Sequence, residues 1–317
     1  MLLLLFPVAM GTGLAIQTAV NAKLRFFVSS AYLSSGVSFL VAWLFLLLLS
    51  LATHQPLVIS PTTITQNPSW LWLGGLFGAI ALTGNVVLFQ EIGSLQTTVL
   101  PIMGQIMMSI IIDQFGLFKS PINPLTLAKI IGLTIIIVGV VLSLGVLDYR
   151  EPLDTDKQLT TQTQLKRAFY RLFAVIAGML MAIQTAINGH LGTVLKSPIH
   201  AAFISFTIGV GCLLLVNLFT FTNFSDIRLA IKQGLNYWWV WIGGIIGALY
   251  ILGSAWLVPI IGTGQVVVLA LFGQLLGSAL IENNGLFESS VNRLTRSKVI
   301  GLSLLFIGVL TVKFITF

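Results

Sequence analysis

Ala15 to Asn21 reads AIQTAVN, and Ala182 to Asn188 reads AIQTAIN, 167 positions further on. Both copies lie in apolar runs, and both place Gln and Asn four residues apart, on one face of a helix. A chain that writes this unit twice is built from two related halves, each keeping primary amides among hydrophobic neighbours.

The correspondence runs through both halves. Ser38-Phe39 matches Ser205-Phe206 at the same offset, and two extra loop residues then raise it to 169. At that offset WLWLGGLFGA from Trp70 pairs with WVWIGGIIGA from Trp239. Gly93 and Gln96 pair with Gly262 and Gln265, Gly104-Gln105 with Gly273-Gln274, Asp113 with Glu282, and Gly132 and Gly139 with Gly301 and Gly308.

Composition sets the solvent. Of 317 residues 56% are hydrophobic and 8% charged, against about 25% charged in soluble domains. Apolar runs of about 17–25 residues separated by short loops indicate transmembrane helices, not barrel strands. Ten are expected: 2–21, 31–52, 70–90, 96–112, 127–147, 169–189, 199–220, 238–259, 265–281 and 298–317. The first lacks a basic leading region and carries the repeated motif, so it reads as a mature helix and not a cleaved leader.

The fold class is therefore an all-α integral membrane protein. Five crossings per half is odd, so the halves enter from opposite sides: two inverted five-helix repeats, 1–147 and 169–317, joined by a polar linker at 148–168. Of sixteen Lys and Arg, twelve fall in the odd-numbered connections, while Lys119, Lys129, Lys196 and Lys313 fall on the other side. The linker side is expected to be cytoplasmic and both termini outside. The charge of +7 is thus a topology signal, and no nucleic-acid partner is expected. The lone Cys212 excludes a disulfide framework.

The pairs Gly74/Gly78 and Gly243/Gly247 form GxxxG spacings, assigned to helix packing. The candidate substrate-cavity residues are Gln17, Asn21, Gln105, Gln184, Asn188 and Gln274. An unpartnered amide in hydrocarbon costs several kcal/mol, so these face another helix, water or a solute; interhelical hydrogen bonding is the competing reading. The fourth and ninth segments, short and glycine-rich at matching places, point to a transporter's binding region. Asp113, Glu282 and Glu91 are the candidates for proton coupling, against the plainer reading of solvated carboxylates at helix ends. His54, His190 and His200 fall in expected outer loops and fit no metal-ligand spacing. No metal or other cofactor is expected.

Paired five-helix halves with AIQTxxN in the first helix, WxGGxxGA in the third, and GQ followed by an acid and GLF around the fourth resemble the drug/metabolite transporter superfamily, most closely its YdcZ-like branch. The resemblance implies a ten-helix basket with a central cavity, the fifth and tenth helices packed behind, and the six amides on cavity-side helices. Two departures stand out: DQF at Asp113 becomes ENN at Glu282, and Ser197-Pro198 faces Ser29-Ser30.

The function expected is a secondary transporter of the bacterial inner membrane, exporting a small polar or amphipathic metabolite by alternating access, with protons as a candidate coupling ion. It is not expected to be an enzyme. No GxxxxGK[ST] is present, so ATP is not the direct driver. The alternatives are a scaffold or lipid-binding membrane protein without flux, and a membrane-embedded enzyme, for which no constellation of His, acid and nucleophile is found.

Overall fold

The structure, a computed structural model, describes residues 2–143, 161–289, 291 and 293–314. The sequence-predicted linker therefore lies largely outside the described residues. The helices are α1 (Leu5–Val28), α2 (Ala31–Ala52), the short α3 (Pro61–Gln66), α4 (Gly74–Phe115), α5 (Leu127–Ser143), α6 (Thr161–Val194), α7 (Pro198–Phe219), the short α8 (Ile227–Lys232), α9 (Gly243–Ile261), α10 (Thr263–Asn284) and α11 (Arg296–Phe314). Seven helical stretches are long and apolar enough to cross a membrane, and α5 is a shorter apolar helix.

Local structure repeats where the sequence repeats. Ser30 caps α2, its hydroxyl accepting from the Leu33 N–H, and Ser197 caps α7 by accepting from the His200 N–H. The missing proline in the first half therefore costs the helix its rigid start but not its cap. Every left-handed residue other than glycine has its counterpart among the described residues: Ser29 with Lys196, His54 with Phe221, Phe118 with Phe287, and Lys119 with Glu288.

The third and fourth expected segments appear as one helical stretch, α4. A straight helix of 42 residues would be about 63 Å long. Yet both of its ends meet the same end of α6. Gly74 and Gly78 touch Asn188 and Gln184, while Ile112 clusters with Ala182 and Ala186. Between them Glu91 reaches back to Lys166 and Gln96 to Arg171. The stretch therefore doubles back near 91–96 into two legs that flank α6. In the second half the turn is an open break: Gly262, at φ 87° and ψ 158°, adopts a conformation that side chains disfavour and separates α9 from α10.

The same embrace occurs with the halves exchanged, α1 lying between α9 and α10 as α6 lies between the legs of α4. The contacts are reciprocal residue by residue. A Cβ on Gly104 would stand 2.0 Å from the Val175 carbonyl oxygen, and one on Gly273 would stand 2.0 Å from that of Val8. Likewise Gly178 abuts the Pro101 carbonyl and Gly11 that of Ala270. With no hydrophobic drive between helices in lipid, such backbone-close seams are what hold them together.

Two further pairings join the halves. α2 crosses α7 at Phe39 and Phe206, whose rings are 4.9 Å apart, and Trp43 donates its indole N–H to the Thr207 hydroxyl. α5 packs on α11 through Gly139 and Gly301, each against the other's backbone.

The connections sort into two layers. In one, Lys23 pairs with Glu288, Phe27 packs on Tyr237, and Glu91 pairs with Lys166. In the other, Trp70 packs on Phe118 and His190, and Ser120 bonds Thr263. The first layer holds odd-numbered connections, the second even-numbered ones.

Two expectations are corrected. The fourth and ninth segments are longer than the expected 96–112 and 265–281, since the helices run on through their polar ends: Gln96–Phe115 has 20 residues and α10 has 22, as many as α2 and α7. His190 and His200 are not in loops, because a capped or packed helix end accommodates a histidine. His190 lies in α6 against Trp70, and His200 lies in the first turn of α7 at 3% exposure.

Candidate functional site

The amides of the repeated motif sit on glycines of the opposite half. The Gln17 amide nitrogen comes within 2.5 Å of where a Cβ on Gly247 would stand, and the Gln184 nitrogen within 2.5 Å of one on Gly78. One turn along, the Asn21 Oδ1 lies over Gly243 and the Asn188 Oδ1 over Gly74, where the Ser205 hydroxyl also approaches. The GxxxG faces are therefore divided in use. Gly75 and Gly244 pack against the backbones of α7 and α2 at Ser205 and Ser38, while the neighbouring Gly74, Gly78, Gly243 and Gly247 seat amides.

These seats leave polar atoms unsatisfied. Asn188 is fully buried, and neither its Oδ1 nor its Nδ2 has a hydrogen-bond partner; the Asn21 Oδ1 and the Ser38 hydroxyl are likewise buried and unpartnered. These three asparagine atoms therefore make no interhelical hydrogen bond. Each unsatisfied buried group costs about 1–3 kcal/mol unless another polar group or water meets it.

Gln105 and Gln274 are half-buried on the second leg of α4 and on α10. Each follows a glycine pressed on the opposite half's first helix, Gly104 on α6 and Gly273 on α1. The structure thus brings the six amides onto helices at the contacts between halves.

The carboxylates are placed differently from one another. Asp113 is 5% exposed, and its two oxygens accept from the backbone N–H groups of Thr263 and Gly264 at 2.9 Å each, with the Ser120 hydroxyl at 3.4 Å. It caps α10 from the opposite half, where the free N–H groups of a helix start favour an anion, and is no solvated helix-end carboxylate. Glu282, its counterpart, pairs with Lys298 at 3.4 Å, and Glu91 pairs with Lys166 at 3.1 Å. Among the described residues no group of three or more His, Cys, Asp or Glu is placed to hold a metal.

Three polar residues went unremarked in the sequence. Asn85, on the first leg of α4, has its Oδ1 buried without a partner; its repeat counterpart is Ser254, so the doubling that flagged the other amides did not flag it. Thr185, inside AIQTAIN, and the buried Tyr250 face each other across α6 and α9, a meeting of two helices that no local pattern marks.

A family model described as "Putative inner membrane exporter, YdcZ" matches residues 2–142 and 169–311. The chain belongs to the YdcZ family. The two blocks of the match fall on the two halves and pass over the linker. No curated protein matches the chain. A solved crystal structure, named only as that of a protein, superposes with a TM-score of 0.66 at 14% identity, covering 98% of this chain and 99% of that one. At that identity the likeness speaks for the fold alone. Membership in the YdcZ family, with seven membrane-length apolar stretches, makes this an inner membrane protein of a family described as exporters.

Proposed function

We propose that the chain is a secondary transporter that exports a small polar or amphipathic metabolite by alternating access. Its ten crossings form two inverted five-helix repeats, 1–147 and 169–317, with the linker at 148–168 in the cytoplasm and both termini outside. The exchanged contacts of α1 and α6, and the sorting of odd and even connections into separate layers, support this arrangement.

The observation that carries the functional reading is the buried, unpartnered amide of Asn188 on the other half's glycine. A solute offering both a donor and an acceptor would satisfy it, and a glycine seat lets that solute reach backbone. Gln17, Asn21, Gln105, Gln184 and Gln274 complete the proposed site. Asp113, Glu282 and Glu91 are the proposed proton-coupling groups; each now holds a partner that protonation would release.

The test is flux of amino acids, nucleosides and organic cations into proteoliposomes under an imposed pH gradient. Saturable flux reduced by Asn188→Ala, Gln105→Ala and Gln274→Ala in folded protein supports the site. Flux untouched by all three removes the site from these helices, and no flux for any compound favours a scaffold.

A further inference from the structure

The exchange of contacts between halves fails in one place. On α6, Thr185, Gly189 and Gly192 lie four and three residues apart, on one face, and that face is closed against α9. Gly189 abuts the Val258 side chain and Gly192 abuts Ala255, with Thr185 facing Tyr250. All three are buried. The same face of α1 is Thr18, Ala22 and Arg25. Thr18 and Ala22 are exposed and Arg25 is half-buried, and among the described residues α1 forms no comparable seam with α4.

That exposed face does not look outward to lipid. On one side of it Gln17 and Asn21 meet α9, and on the other Gly11 and Ala15 meet α10. It lies between the two partners and looks across the molecule, as the closed face of α6 does. The opposite wall repeats the asymmetry: Ser254 of α9 is fully buried, whereas its counterpart Asn85 is half-buried.

We infer that the molecule is open through a cleft between α1 and the first leg of α4, on the face that carries Lys23 and Glu288, and is shut on the other face by the α6–α9 seam, with Gly189 and Gly192 as its gate. The inference rests on the transport reading for its purpose: in the conjugate state α1 closes on α4 and α6 parts from α9, so that Asn21 becomes the buried amide and Asn188 the accessible one. Glycine at 189 and 192 makes the seam close fully, while alanine and arginine at 22 and 25 make the conjugate seam bulkier.

The test needs no substrate, so it stands or falls apart from the transport reading. In a Cys212→Ser background, single cysteines at Thr18, Asn85, Thr185 and Ser254 are treated with a charged maleimide in membrane vesicles of either orientation. Glu288→Cys and His54→Cys mark the two faces. Thr18→Cys and Asn85→Cys are expected to react from the Glu288 face, at least about tenfold faster than Thr185→Cys and Ser254→Cys, since a minor state holds about a tenth of molecules or fewer. Equal reactivity of the counterparts, or reaction of Thr18→Cys from the His54 face, overturns the inference. A Cβ on Gly192 would stand 3.5 Å from that of Ala255, within disulfide span. Oxidation should therefore cross-link Gly192→Cys with Ala255→Cys, and failure to do so in folded protein also overturns it.

Discussion

At the scale of single residues, the seams between halves are decided by where a side chain is impossible. A Cβ on Gly75 would stand 1.9 Å from the Ser205 carbonyl oxygen, whereas one on Gly211 would meet nothing within 4 Å. Gly75→Ala is expected to destabilise the protein by about 1–3 kcal/mol or more, while Gly211→Ala should be neutral or stabilise by about 0.5–1 kcal/mol. Thermal unfolding in detergent measures both. Asp113→Ala strands the N–H groups of Thr263 and Gly264 at the start of α10, and should cost about 1–3 kcal/mol in the same measurement. Equal melting of this variant and the natural protein would remove Asp113 from the role of a cap.

At the charged layer the helices and their connections are joined by ion pairs, which respond to pH. Lys23 at the end of α1 lies 2.5 Å from Glu288 and packs over the Phe27 and Tyr237 rings. The Lys23 hydrogen bond, with a second from the Tyr237 hydroxyl, holds the Glu288 carboxyl below its ordinary value of 4.5. Its folded value is depressed, so the stability it contributes is present above the ordinary value and is lost as pH falls through the folded one. The natural protein should therefore exceed Glu288→Gln in melting temperature at neutral pH and lose that advantage as the pH falls below the ordinary carboxylate value and through the depressed one. A difference independent of pH would mean that packing, not charge, carries the contact.

For the whole molecule the decisive feature is that each half keeps its first helix inside the other. α1 has its long contacts with α9 and α10, and α6 has its own with α4. Neither half can bury its glycine seams alone. Expressed as separate fragments cut after Arg150, the halves are expected to be degraded or aggregated singly and to co-purify as a folded pair when made together. Stable, monomeric fragments would contradict the exchange. The closed α6–α9 seam against the open cleft beside α1 is a property of this scale too, since both contain the same motif.

The sequence by itself determined the doubling, the membrane solvent, the order of the helices and the identity of the amides. Those follow from composition, apolar length and register, which are written locally: AIQTAVN and AIQTAIN mark both first helices, and Gly104-Gln105 and Gly273-Gln274 mark the fourth and ninth segments. Only the tertiary structure decided which glycine meets which amide, that Asp113 caps α10, that His200 is buried, and that the Asn85 Oδ1 is buried without a partner. The reason is physical. Repetition tells which residues are equivalent but not whether equivalent residues touch their own half or the other, and two copies of one face can be open or shut with the same letters. That choice is made by backbone approach across 150 or more residues of chain, as between Asp113 and Thr263, where no local pattern reaches.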